Sequence, residues 1–170
     1  MKDPDWNVIY VNSRAEKKVA LLLREKGVEV YLPLVRTLRD WSDRKKMVEL
    51  PLLNGYVFVR DDSREPEKIL STKGVVAFLK VEGKRGVVRE EEIERLKQII
   101  KLGYHIESIP GSNNELRKGD QISIVSGPLK GFRATVSEDH KEYHCALQLE
   151  GVGFNLRVTL PLEVLKKETV

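Results

Sequence analysis

The sequence predicts an α+β fold in two parts, an antiparallel sheet flanked by helices and then a small β-barrel. Apolar residues recur at helical spacing over residues 15–23, whereas beyond residue 115 they alternate with a period of two. Between these patterns lies a run of turn-forming residues, Pro110 to Asn114. We therefore expect a first domain over residues 1–105, a linker over 106–115 and a second domain over 116–170, with the boundary near residue 110.

The first predicted elements are a strand and a helix. Trp6 to Val11 is apolar and typical of a strand, and Ser13 to Glu16 then has the form of a capping box. Ala15, Val19, Leu22 and Leu23 share one helical face. The pattern predicts a helix that begins at Ser13 and stops at Gly27.

A charged hairpin should follow this helix. Val28 to Val35 and Met47 to Leu53 are apolar runs rich in β-branched residues, and the segment between them, Arg36 to Lys46, is charged. We interpret the two runs as strands joined by a long exposed loop. The remaining elements of the first part are, in order, a break at Asn54-Gly55, a strand over Tyr56 to Val59, a short helix over Pro66 to Thr72, a strand over Val75 to Val81, a turn over Gly83 to Gly86 and an amphipathic helix over Glu91 to Leu102 with Ile93, Leu96, Ile99 and Ile100 inward.

The second part alternates apolar and polar residues nearly throughout. Turns at Gly127-Pro128, Lys130-Gly131 and Gly151 to Gly153 separate four or five short strands in about 55 residues, which is typical of a small β-barrel. The residues expected to face its core are Ile122, Ile124, Tyr143, Cys145, Leu147, Leu149, Phe154, Leu156, Val158 and Leu160.

Composition excludes several classes of protein. The net charge of +4 comes entirely from the first 109 residues, because the rest has 8 basic and 8 acidic residues. No stretch is long and apolar enough for a membrane span, and the charged start lacks the apolar core of a secretory signal. We therefore expect a cytoplasmic protein. We also expect it to be a monomer. With a single cysteine and three histidines, we expect no metal site and no cofactor.

An enzyme is not expected either. A thiolate nucleophile would need a base beside Cys145, and the candidates are His140 and His144. If Tyr143 to Leu149 is a strand, His144 and Cys145 point to opposite faces, and Cys145 shares the core face. No nucleophile elbow, phosphate-binding loop or paired-carboxylate motif is present in the sequence.

Several motifs resemble those of the NusG family of transcription elongation factors, which includes the specialised RfaH and UpxY branches. In the first part these are Trp6 with its strand, Glu16 to Ala20, Tyr31-Leu32-Pro33, Trp41 to Lys46 and Pro51 to Val59. In the second part, Lys118 to Ile122 with Ser126 to Phe132 is similar to the KOW motif. The resemblance covers almost the whole chain and implies an NGN-like domain followed by an SH3-like KOW barrel.

The resemblance implies binding to the clamp helices of the largest RNA polymerase subunit, which suppresses pausing or premature termination. By position, the hydrophobic depression that docks there would be lined by Tyr10, Leu53, Tyr56 and Phe58. The family often has an aromatic residue and proline where this chain has Leu53 and Asn54, so the contact is modified. The alternative for all four residues is an ordinary core or strand position, which the sequence alone favours for Phe58.

The segment Arg14 to Lys46 has ten basic and five acidic residues, which suits phosphate contacts to the non-template DNA strand. The candidate DNA-binding residues, placed by resemblance, are Lys17, Arg24, Lys26, Arg44, Lys45, Lys46 and Lys73. For any single one of them, the sequence favours a solvated surface position. Trp41 either stacks on a base or packs on its own domain.

The resemblance also implies a second partner for the KOW domain, either ribosomal protein S ten or the termination factor Rho. The candidate contacts are Gly127, Pro128, Leu129 and Phe132. A switch of this domain between helix and barrel, as in one specialised relative, stays open. The sequence of Tyr31 to Lys46 resembles the specialised branch more than the general factors. The specialised branch serves long operons such as those for surface polysaccharides.

The rival interpretation is a KOW-containing protein that binds RNA or the ribosome. The sequence pI near 9.1 would serve that role. The balanced charge of the second part argues against it, because an RNA-binding barrel is expected to be basic itself.

Overall fold

The structure is a computed structural model that describes residues 5–60, 65–109, 121–123, 133–136 and 142–161. The chain divides into two units, Met1–Ile93 and Glu94–Val170. The elements of the first unit are β1 (Trp6–Val11), α1 (Glu16–Glu25), β2 (Glu29–Tyr31), β3 (Leu34–Asp40), β4 (Lys45–Pro51), β5 (Tyr56–Arg60), α2 (Pro66–Leu70), β6 (Val75–Phe78), β7 (Lys80–Val81), β8 (Lys84–Arg85) and β9 (Val87–Val88).

An antiparallel sheet in the order β2-β5-β1-β6 forms the framework of this unit, and β9 also pairs with β1. Alternate residues of its central strands, including Ile9, Val57 and Val59, join one buried cluster with Val19 and Leu23 of α1. The apolar stripe of the helix is therefore buried with one face of the sheet. This arrangement confirms the predicted mixture of helices and antiparallel strands.

Gly74 fits a close approach within this core. A Cβ atom at this position would lie 2.7 Å from Cγ2 of Val19, and the backbone has a φ of +97°. Both facts require glycine, because no other side chain has room there and L residues rarely adopt this φ. The short helix predicted before it is confirmed as α2, with Pro66 in its first turn.

The prediction that the first helix begins at Ser13 is wrong. The helix α1 begins at Glu16, its N-terminus has no side-chain cap, and Arg14 has a φ of 63° in the turn before it. The N–H of Ala15 donates to the carbonyl of Asn12 at 3.0 Å and closes that turn. A capping box fails here because the Glu16 carboxylate accepts a hydrogen bond from Gly55 instead of reaching back to the start of its own helix.

The predicted long loop over Arg36 to Lys46 is also wrong. Most of this segment lies in β3 and β4, which pair with each other from Leu34↔Pro51 to Asp40↔Lys45, and only Trp41 to Arg44 forms the turn. Both faces of this ribbon are largely exposed beyond Leu34, so its sequence carries no alternation of apolar and polar residues. The first predicted strand, Val28 to Val35, is interrupted at Leu32-Pro33.

Two other predictions near the end of the first unit need correction. The strand predicted over Val75 to Val81 is divided into β6 and β7 at Leu79. The turn predicted over Gly83 to Gly86 is shorter, because β8 pairs with β7 and only Glu82 and Gly83, with φ values of 51° and 78°, connect them. Two consecutive positive φ values are typical of the tightest hairpin turns.

The last helix is confirmed as α3 (Glu90–Leu102), and the division between the units falls within it. Ile93, Leu96 and Ile99 are fully buried, and Ile100 is half-buried. The Glu92 carboxylate accepts a hydrogen bond of 2.8 Å from the N–H of Arg89, so this helix has the reciprocal contact that α1 lacks.

The second unit contains an antiparallel sheet in the order β10-β14-β13-β12-β11. Its strands are β10 (His105–Ile109), β11 (Gln121–Ser123), β12 (Arg133–Val136), β13 (Glu142–Leu149) and β14 (Phe154–Pro161). Leu149, Leu156 and Val158 are fully buried, as predicted. Closure into a barrel stays a prediction, because much of residues 116–170 lies outside the described residues.

The first residues of the predicted linker lie in a strand. Residues 106–109 belong to β10, which pairs with β14 from His105↔Thr159 to Ile109↔Asn155. Ile106 is buried, so this segment contributes to the second sheet, which its turn-rich neighbours at 110–114 concealed in the sequence. The rest of the linker lies outside the described residues.

Candidate interaction surfaces

Two tyrosines form an aromatic pair on the sheet of the first unit. Tyr10 in β1 lies opposite Tyr56 in β5, with ring centroids 4.6 Å apart. The hydroxyl of Tyr56 donates to the hydroxyl of Tyr10 at 3.0 Å. Tyr10 is 37% exposed and Tyr56 is half-buried. The fold therefore brings two of the predicted docking residues together at an accessible position.

The pair lies on the sheet face opposite the α1 core, because the adjacent residues Ile9 and Val57 belong to the α1 core cluster. Burial of Tyr56, its hydrogen bond to Tyr10 and the charge that Tyr10 would carry raise the pKa of Tyr56 to about 12. The hydroxyl of Tyr56 is therefore a neutral hydrogen-bond donor at physiological pH.

The other two predicted docking residues are buried. Phe58 is fully buried on the same sheet face as Tyr56, and its ring centroid lies 6.0 Å from that of Tyr31. Leu53 is 4% exposed in the turn before β5. They therefore present little surface of their own beside the exposed tyrosine pair.

The turn before Tyr56 is held by the carboxylate of Glu16, which the sequence predicts as part of a helix cap. Glu16 is 4% exposed, and its Oε1 accepts a hydrogen bond of 2.8 Å from the N–H of Gly55. The carbonyl of Gly55 accepts a second bond, of 2.9 Å, from the N–H of Val11. Gly55 is thus fixed on both sides, to α1 and to β1, directly before the aromatic pair.

A second cluster at the other end of β1 and β5 was missed in the sequence. The indole N–H of Trp6 donates to Oε2 of Glu90 at 2.6 Å, and Arg60 lies over the Trp6 ring at 4.6 Å. Arg60 also forms an ion pair with Glu90 and a two-pronged one, at 2.7 and 2.8 Å, with Glu29. No sequence spacing indicates it, because the sheet and the start of α3 bring these residues together.

The candidate DNA-binding residues on and near α1 differ in their surroundings. The ammonium of Lys17 donates to the carbonyl of Glu49 at 2.7 Å. Lys26 donates to the carbonyl of Lys68 at 3.2 Å and to Oγ1 of Thr72 at 2.8 Å, at the C-terminal end of α2. Such a contact satisfies a terminal carbonyl of a helix, so Lys26 has a structural role as well. Arg24 approaches the carbonyl of Val30 at 3.5 Å, and Lys73 is exposed.

The remaining candidates lie at the tip of the β3–β4 ribbon. Arg44 closes the turn through two backbone bonds with Trp41, and Lys45 and Lys46 begin β4. Trp41 is 57% exposed, and the cross-strand pair of Leu38 and Met47 is more than half exposed too. This tip combines cationic and apolar side chains in contact with solvent.

The predicted KOW contacts, Gly127, Pro128, Leu129 and Phe132, lie outside the described residues, as does His140. His144 and Cys145 occupy consecutive positions of β13. Among the described residues, no three His, Cys, Asp or Glu residues are grouped to hold a metal ion. The same part of the chain contains no helix long and apolar enough to cross a membrane.

Comparison with known proteins gives a consistent family. A family model described as transcription termination factor nusG matches residues 4–97, more than half of the chain. The chain is 29% identical over 137 residues to the transcription termination/antitermination protein NusG of Thermus thermophilus, covering 75% of this chain and 73% of that protein. It is 32% identical over 158 residues to the transcription elongation factor Spt5 of Methanocaldococcus jannaschii, covering 89% and 88% of the two chains.

A solved structure supports the fold. The structure titled "Domain interaction in Thermotoga maritima NusG" matches with a TM-score of 0.54 and 21% identity over 93% of each chain. The match over residues 4–97 spans the motifs from Trp6 to Val59. The chain belongs to the NusG family of transcription elongation and termination factors.

Proposed function

We propose that this chain docks on the clamp helices of the largest RNA polymerase subunit through the surface around Tyr10 and Tyr56. The observation that carries the proposal is the partly exposed aromatic pair on a sheet face, preceded by a turn that hydrogen bonds fix on both sides. Tyrosines offer a large contact area at a low cost in conformational entropy, which is why they dominate many interfaces. Bound in this way, the factor suppresses pausing or premature termination.

Leu53 and Phe58 form the buried floor of this docking surface in the proposal. Because both are almost inaccessible, they act by supporting the turn and the strand beneath the tyrosines. The two tyrosines then provide the contact with the polymerase. Leu53 and Asn54, which replace the aromatic residue and proline common in the family, adjust the turn without removing the aromatic pair.

The proposal includes a second contact, between the basic residues and the non-template DNA strand. Lys46, Lys73 and the side chain of Arg44 make no hydrogen bond or ion pair in the described part of the chain, so they are the most available cations of the set. Lys45, Lys46 and Trp41 lie beside Arg44 at the ribbon tip, where phosphate contacts and base stacking can combine. Lys17, Arg24 and Lys26 would have to exchange their present carbonyl contacts for phosphates.

We further propose that residues 1–105 form the polymerase-binding domain and residues 116–170 a KOW domain that recruits ribosomal protein S ten or Rho. The similarity of Tyr31 to Lys46 to the specialised branch supports a factor that serves particular long operons. Transcription of such an operon with and without the factor would test this part of the proposal.

The docking site is tested by capturing purified RNA polymerase with the immobilised full chain. Tyr10→Ala combined with Tyr56→Ala should lower the affinity at least about 30-fold, because two interface anchors are lost. A matched control is Leu21→Ala combined with Leu70→Ala, which truncates two exposed apolar residues of α1 and α2, the helices packed on the opposite face of the sheet. The control should bind as the unchanged chain does. Equal affinities of the tyrosine variant and the control would refute the docking surface.

A further inference from the structure

A small basic hairpin in the first unit has no part in the proposed function. It consists of β7 and β8, where Lys80 lies opposite Arg85 and Val81 lies opposite Lys84. All four residues are exposed. The sequence indicates only a turn over Gly83 to Gly86, whereas the structure pairs Lys84 and Arg85 with a second strand.

Arg85 is held in place by an aromatic ring. Its Cζ atom lies 4.0 Å from the centroid of the Phe78 ring, and Phe78 itself is buried in the core of the unit. A guanidinium stacked on an aromatic face keeps its N–H groups at the edge, where they can reach a ligand. No hydrogen bond or ion pair involves the side chains of Lys80, Lys84 or Arg85 within the described residues.

The hairpin is also fixed at its base. The N–H of Leu79 donates to the carbonyl of Val8 in β1, and the N–H of Gly86 donates to the carbonyl of Leu79, both at 2.8 Å. Glu82 and Gly83 close the other end as a two-residue turn. The cations are therefore carried on a scaffold that needs little ordering when a ligand binds, which lowers the entropy cost of association.

Two like charges directly opposite each other across strands destabilise a hairpin. An anion placed between Lys80 and Arg85 removes that repulsion and satisfies the free donors of both side chains. The guanidinium fork matches a phosphate group. Lys84 pairs with Val81 on the other face of the hairpin, so it adds to the positive charge without contacting the same phosphate. The hairpin offers no exposed aromatic anchor, because Arg85 covers Phe78, so it suits a ligand bound by charge more than a protein bound by burial.

We propose that Lys80 and Arg85 form a binding surface for the phosphate backbone of a nucleic acid strand. This surface is separate from the tyrosine pair and from the DNA-binding residues of the proposed function. It stands whether or not the tyrosines dock on the polymerase, since it rests on the hairpin alone.

The test measures binding of the full chain to a fluorescein-labelled oligothymidylate by anisotropy over a range of salt concentrations. Lys80→Gln combined with Arg85→Gln should weaken binding at low salt at least fivefold. It should also reduce the slope of log K against log salt by about 1.4, since each phosphate contact with a single strand contributes about 0.7. Arg85→Lys keeps the charge but loses the stacked fork, and it should give an intermediate loss.

A matched control removes two charges that already have partners. Lys97 is paired with Glu94 and Arg157 with Glu107, so Lys97→Gln combined with Arg157→Gln lowers the net charge equally. This control should retain the affinity and the salt slope. The hairpin variant should still capture RNA polymerase as the unchanged chain does, which separates a failure here from a failure of the docking site.

Three results would overturn the proposal. The first is no measurable binding of the oligonucleotide by the unchanged chain at low salt. The second is an equal loss in the hairpin variant and the control, since that would reflect net charge only. The third is tighter binding of a poly-glutamate peptide than of the oligonucleotide, which would assign the hairpin to an acidic protein partner instead.

Discussion

The two ends of the β1–β5 pair carry aromatic residues on the same face of the sheet, yet one end is closed and the other is open. At the closed end Trp6 is buried beneath Arg60, and Glu90 accepts hydrogen bonds from both. At the open end Tyr10 and Tyr56 contact each other and remain accessible. The face is shared because Trp6 and Tyr10 are four positions apart in β1, as Tyr56 and Arg60 are in β5, and every second residue of a strand points to the same face.

The difference indicates that the two ends of the β1–β5 pair have different roles, one in stability and one in binding. Ion pairs and burial at the closed end hold β1, β5 and the start of α3 in register. The open end can then present two aromatic rings that contact each other and remain accessible to a partner. A partner that binds there gains rigid contact area, because the strands beneath are already ordered. Four substitutions probe this comparison, in order of decreasing expected effect.

The largest effect is expected from Glu90→Ala, which breaks the closed end. The substitution leaves the indole N–H of Trp6 without its acceptor and removes one carboxylate from the nearly buried Arg60. We expect the free energy of unfolding to fall by about 3 kcal/mol, as measured by urea denaturation. Glu94→Ala breaks only an exposed ion pair with Lys97 and should cost no more than about 0.5 kcal/mol. Equal losses would mean that the contacts of Glu90 stabilise the fold no more than an exposed ion pair does.

The next effect is expected at Glu16, which ties the turn before Tyr56 to α1. Glu16→Ala leaves the N–H of Gly55 without its acceptor and should lower the free energy of unfolding by about 2 kcal/mol. Glu16→Gln keeps an acceptor oxygen at nearly the same place and should lose less than half of that. Hydrogen exchange of the Gly55 amide should accelerate in the alanine variant only. Unchanged exchange there would show that the turn is held by other contacts.

A smaller effect on stability is expected at the open end. Tyr10→Ala combined with Tyr56→Ala removes two accessible rings, and we expect the free energy of unfolding to change by about 1 kcal/mol, less than for Glu90→Ala. Thermal unfolding of the two variants side by side makes this comparison. A larger loss in the tyrosine variant would reverse the assigned roles of the two ends.

The smallest effect concerns the ionisation of Tyr56, whose pKa is raised to about 12 by burial and by Tyr10. Below pH 10 Tyr56 is neutral in the folded and unfolded chains alike, so its contribution to stability is complete there and is lost as the pH rises through about 12. Tyr10→Phe removes the hydrogen bond and should lower the pKa of Tyr56. Tyrosinate absorbance, with Tyr56→Phe as the baseline, follows this titration. An unchanged titration in Tyr10→Phe would leave burial as the sole cause.

Elements with a buried face could be predicted from the sequence. The apolar stripe of α1 and the strands around Ile9 and Val57 bury one side each, so their period appears in the residues. The β3–β4 ribbon could not be predicted as strands, because it is exposed on both faces beyond its base and three of its seven pairs join charged residues. The start of α1 was misread because Glu16 fits a capping box in sequence and makes a distant bond in the fold.

The candidate site was only partly predictable for the same reason. Tyr10 and Tyr56 could be named by resemblance, and the strand register brings them together. The bond from Gly55 to Glu16 and the cluster around Arg60 join residues far apart in the chain, and no spacing indicates them. The sequence likewise gave no sign that Arg85 stacks on Phe78, since that contact depends on a turn of two residues.

The length of the β3–β4 ribbon sets the distance between the sheet of the first unit and the tip of the ribbon. Its strands pair only with each other among the described residues, and its base is held where the N–H of Leu52 donates to the carbonyl of Pro33. Adding or removing two residues in each strand preserves which side chains share a face and shifts the tip by about 7 Å. Insertions or deletions of two residues in each strand can therefore change the distance from the sheet to Trp41 and Arg44 in steps of about 7 Å, without any change in the core.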